Sequence, residues 1–213
     1  MLIYRDKSGK SLDAYPRPSV AVDTAVLTIN EGGQLSVLLA KTDDSVRLPG
    51  TFLHQGETLA DAVMRSLSEK VGVEGLSPTQ LRVFDDPHRD DRGWVLSVAH
   101  LDAVPTGRLD LDDQIAELCA VDELPDVPYG HDAIVARAVD ALRAEYVDRP
   151  DPRCLLPAEF TLRNLHALHE AVAGQALARD TFRRLMEPQL IATGEFSAGV
   201  VGKPARIFSR KEQ

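Results

Sequence analysis

Several residue groups in this chain have the types and spacing that chemistry requires. Glu57, Arg65, Ser66, Glu69 and Lys70 fall along one stretch, with Ser66, Glu69 and Lys70 close enough to share the end of a helix. A hard cation such as magnesium wants clustered carboxylate oxygens, and a hydroxyl at 66 with an ammonium at 70 leaves too few. No metal ligands and no catalytic residues are therefore expected. Arg65 can pair with Glu69 one turn on, or turn to a ligand. A second group, His88, Arg89 and Arg92, lies in a loop rich in Asp and Arg, and guanidinium forks suit a diphosphate. Arg47 stands just before the turn Leu48-Pro49-Gly50. A third group, Arg179, Thr181, Arg183 and Arg184, is followed by Lys203 and Arg206, all candidates for contact with DNA.

The elements that must carry these residues are legible from pattern. Thr58 with Asp61 is a capping signature, and Leu59, Ala62, Val63, Leu67 and Val71 then repeat at helical spacing. Val20–Ile29, Leu35–Ala40, Leu81–Phe84 and Trp94–Ala99 read as strands between Gly, Asp and Pro clusters. Ala133–Val147 gives a second apolar stripe, with His131-Asp132 as its expected cap. A mixed sheet with a helix on each face follows, an α/β (α+β) sandwich.

Asp148-Arg149-Pro150-Asp151-Pro152-Arg153 interrupts the pattern with two prolines and several charges, which places the domain boundary between 1–150 and 151–213. Beyond it, Thr161 caps a helix with Leu162, Leu165, Leu168 and Val172 on one face, and Gly174 ends it. A second helix over 179–187 should turn Phe182, Leu185 and Met186 inward and its arginines outward. A glycine-rich bend and a returning strand at 205–208 complete a winged helix-turn-helix.

The chain has 213 residues, is 44% hydrophobic and carries a formal net charge of −9. That composition excludes general disorder, and no apolar run is long enough to cross a bilayer or to serve as a signal peptide. A cytoplasmic protein with no membrane partner is expected, its Cys119 and Cys154 both thiols. The charge is unevenly spread: residues 1–150 sum to −11 and residues 151–213 to +2, which fits nucleic acid at one end only.

The stretch from Gly50 to Glu57 and on through Arg65-Ser66-Leu67-Ser68-Glu69-Lys70-Val71-Gly72-Val73 resembles a Nudix box. In the resembling hydrolases the three helix carboxylates hold the divalent metal; here those places read Ser66, Glu69 and Lys70. Thr51 stands where a glycine is usual. Together with Arg17-Pro18-Ser19-Val20-Ala21-Val22-Asp23, the loop from Pro87 to Val98, Phe160-Thr161-Leu162, Thr181-Phe182-Arg183-Arg184 and Lys203-Pro204-Ala205-Arg206, the chain resembles the NrtR regulators over nearly its full length. That resemblance implies a homodimeric repressor of NAD biosynthesis or salvage genes. Its Nudix-like domain would sense ADP-ribose or a related nucleotide, with no cofactor required, through Arg47, Arg65, Glu69, His88, Arg89 and Arg92. Its winged helices would hold double-stranded operator DNA through Thr161, Arg179, Thr181, Arg183, Arg184, Lys203 and Arg206. An active Nudix hydrolase with metal on Glu57 and Glu69, a sugar-sensing repressor of the same architecture, and a catalytically dead scaffold that binds protein through its small domain are the competing readings.

Overall fold

The computed structural model describes residues 4–197 and 204–211. Its organising element is β1 (Ser19–Ile29), which runs antiparallel to β2 (Leu35–Lys41) and β4 (Gly50–Phe52) and parallel to β6 (Val95–Ala103). Residues 21–28 are buried without a break, as a central strand covered on both faces must be. β3 (Val46–Arg47) and β7 (Ala116–Ala120) flank β2, and β5 (Thr79–Phe84) forms the far edge beside β6. The short β3 and β4 and the partly buried β7 carry too weak a periodicity to read from sequence, and β6 runs four residues beyond its expected end.

α1 (Leu59–Val71) packs its stripe of Ala62, Val63, Leu67 and Val71 against Val22, Val26 and Leu38 on one face of the sheet. The Thr58–Asp61 capping box forms as its spacing predicts, and Gly72 closes the helix at φ 66. On the other face α2 (His131–Glu145) sets Ile134, Val135, Ala138 and Leu142 on Ala25, Leu27, Leu39 and Leu101. It starts two residues earlier than expected, and neither His131 nor Asp132 caps it. Gly130, at φ 65, turns the chain into the helix with no side-chain cap, which frees the His131 ring for the interior.

The C-terminal part is β8 (Glu159–Thr161), α3 (Leu162–Ala173), α4 (Arg179–Met186), β9 (Leu190–Phe196) and β10 (Arg206–Arg210), with strand order β8-β10-β9. Thr161 caps α3 as expected, accepting from the Asn164 amide at 3.2 Å, and Gly174 ends it in the left-handed region. Phe160, Leu165, Phe182, Met186, Leu190 and Phe208 form a small separate core. Leu185 does not join them. It is 45% exposed, because the inward face of an eight-residue helix is filled by Phe182 and Met186 four residues apart, and Leu185 falls on its flank.

The two parts are packed together: Leu155, Leu168 and Val172 belong to the same core as α2. Asp151, fully buried at φ 49, accepts from the Tyr146 hydroxyl at 2.8 Å, from the amides of Leu155 and Leu156, and from Arg210 of β10. Arg210 also lies over the Phe160 ring and reaches the Leu156 carbonyl.

Candidate functional site

A polar cavity of about 200 Å³ opens where β1, the β3–β4 turn, the C-terminal end of α1, the β5–β6 loop and the start of α2 meet. Its walls carry Asp23, Arg47, Lys70, Arg89, Asp90, Arg92, Tyr129 and His131. Gly50 is required where it stands: a Cβ there would lie 2.0 Å from Asp23 Oδ1 and 3.0 Å from the Val22 carbonyl oxygen.

At the base of this cavity Asp23 is buried and fully engaged. Ser97 Oγ donates to its Oδ2 at 2.5 Å, His131 Nε2 lies 3.3 Å from Oδ1, and Arg89 lies 3.6 Å from Oδ2. His131 Nδ1 accepts from the Leu48 amide at 3.0 Å, so the ring proton sits on Nε2, facing the carboxylate. Burial pushes the Asp23 carboxyl up, but the hydrogen bonds from His131 and Ser97 and the charge of Arg89 outweigh it and hold it below the usual range. Neither Asp23 nor His131 could be singled out from sequence, since an acid inside a strand and a histidine opening a helix carry no spacing signal.

Arg89 is buried, its side chain 6% exposed, and donates to the Tyr129 carbonyl at 2.8 Å. Arg92 pairs in bidentate fashion with Asp90 at 2.8 and 2.7 Å, which lowers the Asp90 pKa, and its guanidinium carbon lies over the Tyr129 ring, 3.9 Å from the centroid. Arg47 and Lys70 line the same cavity with no ion pair and no side-chain hydrogen bond among the described residues.

Three of the expected ligand contacts are not brought to the cavity wall. Arg65 turns back onto its own loop: Glu57 takes it at 2.8 and 2.9 Å, and the Thr51 hydroxyl and Phe52 carbonyl complete its bonds. Hydrogen bonds from Arg65 and the His54 amide hold Glu57 at about 2. Glu69 is exposed and 3.7 Å from Arg65, and His88 is exposed at the tip of its loop. Ser66 is fully buried with no partner for its Oγ.

This donor set does not suit a magnesium ion. Of the three helix positions one is sealed from solvent, one is an ammonium and one is a lone exposed carboxylate, while Glu57 is spent on Arg65. Among the described residues no three His, Cys, Asp or Glu side chains converge on one point.

On the winged helix, the exposed face of α4 carries Arg184 and Asp180 at its centre, with Arg183 and Glu187 on one flank and Thr181 and Leu185 on the other. Arg183 donates to Glu187 at 2.7 Å, and Arg184 to the Asp180 carbonyl at 3.2 Å. Arg179 and Arg183 share a surface groove with Arg163, His166 and Glu170 of α3, so Arg163 joins the basic face although its sequence position gave no reason to choose it. The Thr161 hydroxyl is occupied as a cap, and Thr181 lines a mostly apolar groove of about 390 Å³ between α2, α3 and α4. Arg206 is exposed at the start of β10, and Lys203 lies outside the described residues.

An α/β/α sandwich with a cation-lined cavity, joined in one chain to a winged helix, has the make-up of a small-molecule sensor fused to a DNA reader. Residues 20–141 match the NUDIX domain family and residues 152–209 the NrtR DNA-binding winged helix domain. The chain belongs to the Nudix family, in the branch that carries the NrtR winged helix. Among its relatives is an "ADPR responsive transcriptional repressor NtrR" of Acinetobacter baylyi, 27% identical over 91% of this chain and 82% of that protein. An ADP-ribose pyrophosphatase of Methanocaldococcus jannaschii is 31% identical over 62% of this chain and 80% of its own length. The crystal structure of Shewanella oneidensis NrtR complexed with a 27mer DNA superposes with a TM-score of 0.73, at 25% identity, covering 90% of this chain and 93% of that one.

Proposed function

We propose that the protein is a transcriptional repressor that binds double-stranded operator DNA through its winged helix and responds to ADP-ribose, or a closely related NAD-derived nucleotide, in the cavity of its Nudix domain. The observation that carries this reading is the pairing, in one chain, of a cation-lined Nudix cavity without a metal-ligand cluster and a winged helix with an arginine-bearing second helix. It is supported by the relative described as an ADPR-responsive repressor and by the likeness to a regulator captured on DNA. The division of labour follows the proposed boundary: residues 1–150 sense, residues 151–213 read DNA. Arg179, Arg183, Arg184 and Arg206 face the DNA, the first three in the major groove and Arg206 on backbone phosphate, where Lys203 would join it. The protein acts as a homodimer in the cytoplasm on genes of NAD biosynthesis or salvage, with a two-fold symmetric operator matching its own symmetry. No helix among the described residues is long and apolar enough to cross a membrane.

The sensor domain does not turn its ligand over, because the helix end that should gather three carboxylates presents one. A mobility-shift assay on the upstream DNA of the gene itself and on NAD-gene promoters, with and without ADP-ribose, tests the reading. A retarded complex whose affinity changes with ADP-ribose is the expected outcome. Absence of a complex on any of these DNAs would overturn the DNA-reading half, and metal-dependent hydrolysis of ADP-ribose at enzymatic rates would favour the pyrophosphatase relative's activity instead.

A further inference from the structure

The cavity contains four cations, yet they are not equivalent. Arg92 is paired along its edge with Asp90 and stacked on Tyr129, and Arg89, in the cavity wall with its side chain largely buried, is bonded to the Tyr129 carbonyl and set against Asp23. Each already has an anionic neighbour, and drawing Arg92 onto a phosphate would leave the buried Asp90 carboxylate without its partner, while drawing Arg89 away would break its bond to the Tyr129 carbonyl. Arg47 and Lys70 line the same cavity from opposite elements, β3 and the last turn of α1, and neither has a carboxylate partner among the described residues. A cavity with two uncommitted positive charges is a cavity for an anion. Lys70 moreover occupies the helix position from which, in the resembling hydrolases, a carboxylate would reach the metal.

From this we infer that Lys70, with Arg47, supplies the positive charge that magnesium would otherwise bring to the diphosphate, so that this domain recognises its nucleotide without metal. The inference rests on the ADP-ribose reading above. An ammonium at the end of a helix is welcome there in any case, since the C-terminal carbonyls are electronegative. That structural role predicts an effect on stability and none on phosphate recognition, which separates the two. A carboxylate at 70 would reverse the requirement: magnesium binds through one or two carboxylates together with phosphate oxygens, and Glu69 with a glutamate at 70 would provide them.

The experiment is isothermal titration of the full-length protein with ADP-ribose, in EDTA and in millimolar magnesium, for the parent and for K70M, K70R and K70E, with adenosine as the phosphate-free probe and thermal unfolding as the check on folding. Binding by the parent is expected to be equal in EDTA and magnesium. K70M should weaken ADP-ribose about ten- to a hundredfold, the range for one lost charged hydrogen bond, and leave adenosine unchanged. K70R should stay within a few-fold of the parent. K70E should bind poorly in EDTA and recover in magnesium. Parent binding that needs magnesium, or K70M binding ADP-ribose as tightly as the parent, would overturn the inference; an equal loss on adenosine and ADP-ribose would too, by assigning Lys70 a structural role. A parent that binds ADP-ribose under neither condition would instead overturn the proposed effector, leaving the two failures distinct.

Discussion

At the scale of single residues, the cavity depends on close approaches that admit no substitution. Gly50→Ala places a methyl group against Asp23 and the Val22 carbonyl, so β4 must shift and the Asp23–His131 pair with it. A loss of about 1–3 kcal/mol in urea unfolding is expected, with a still larger loss of nucleotide binding. His169 makes a different prediction. It sits between the Tyr146 and Phe182 rings, with Nε2 unpartnered, and burial pulls its pKa from 6.5 to about 4 against the opposing charge of Asp151. The folded state therefore holds it neutral while the unfolded chain takes up a proton below pH 6.5. Stability is full above that pH and falls as pH drops from 6.5 towards 4, by on the order of 3 kcal/mol. His169→Leu should flatten this part of the profile relative to the parent; parallel profiles would show that the acid sensitivity arises elsewhere.

At the scale of elements, α4 is the one whose faces are most sharply divided. Arg184 stands at the centre of its exposed side, whereas Arg183 must first release Glu187. Arg184→Ala should therefore cost the full 1–3 kcal/mol expected of a base-reading arginine, roughly, on operator DNA and little on random DNA. Arg183→Ala should cost less, and Glu187→Gln should tighten DNA binding by freeing its partner. Arg206, at the base of the wing, belongs to the backbone-contact class: its removal should weaken operator and random DNA alike and lower the salt dependence by about one counterion. Fluorescence anisotropy at several salt concentrations measures all four. Equal losses on both DNAs for Arg184→Ala would remove its base-reading role.

For the whole molecule, the decisive feature is the junction. The segment at 148–153 reads as a spacer, but Asp151 at its centre is fully buried and binds α2 through Tyr146, its own following amides and β10 through Arg210. A motion of the sensor domain therefore has a direct polar connection to the wing. Asp151→Ala leaves the Tyr146 hydroxyl without its acceptor and the Arg210 guanidinium without its carboxylate, and should destabilise the fold by about 3–5 kcal/mol. The milder Tyr146→Phe keeps the ring and the Arg210 pair but cuts the link to α2. DNA binding should persist in that variant while the shift in operator affinity caused by ADP-ribose shrinks, from a coupling of about 1–3 kcal/mol. An unchanged response would place the coupling elsewhere, in the apolar contact of Leu168 and Val172 with α2.

Sequence alone determined the local matters: the capped α1 with its stripe, the central strands, the Thr161 and Gly174 limits of α3 and the order of the winged helix, because caps, periodicity and glycine conformations act over a few residues. It also identified the loss of the carboxylate cluster, since a liganding position is lost whatever the surroundings. What only the tertiary structure decided is which charges remain free. Arg65, Arg89 and Arg92 look alike as residues, but Glu57 claims the first, Asp23 and a carbonyl hold the second, and Asp90 the third. Arg47 and Lys70 are left facing the cavity. Such commitments join residues from eight to more than sixty positions apart, and others as close as two, so neither composition nor spacing can register them. A charge is available to a ligand only once the fold has settled which partners lie within reach.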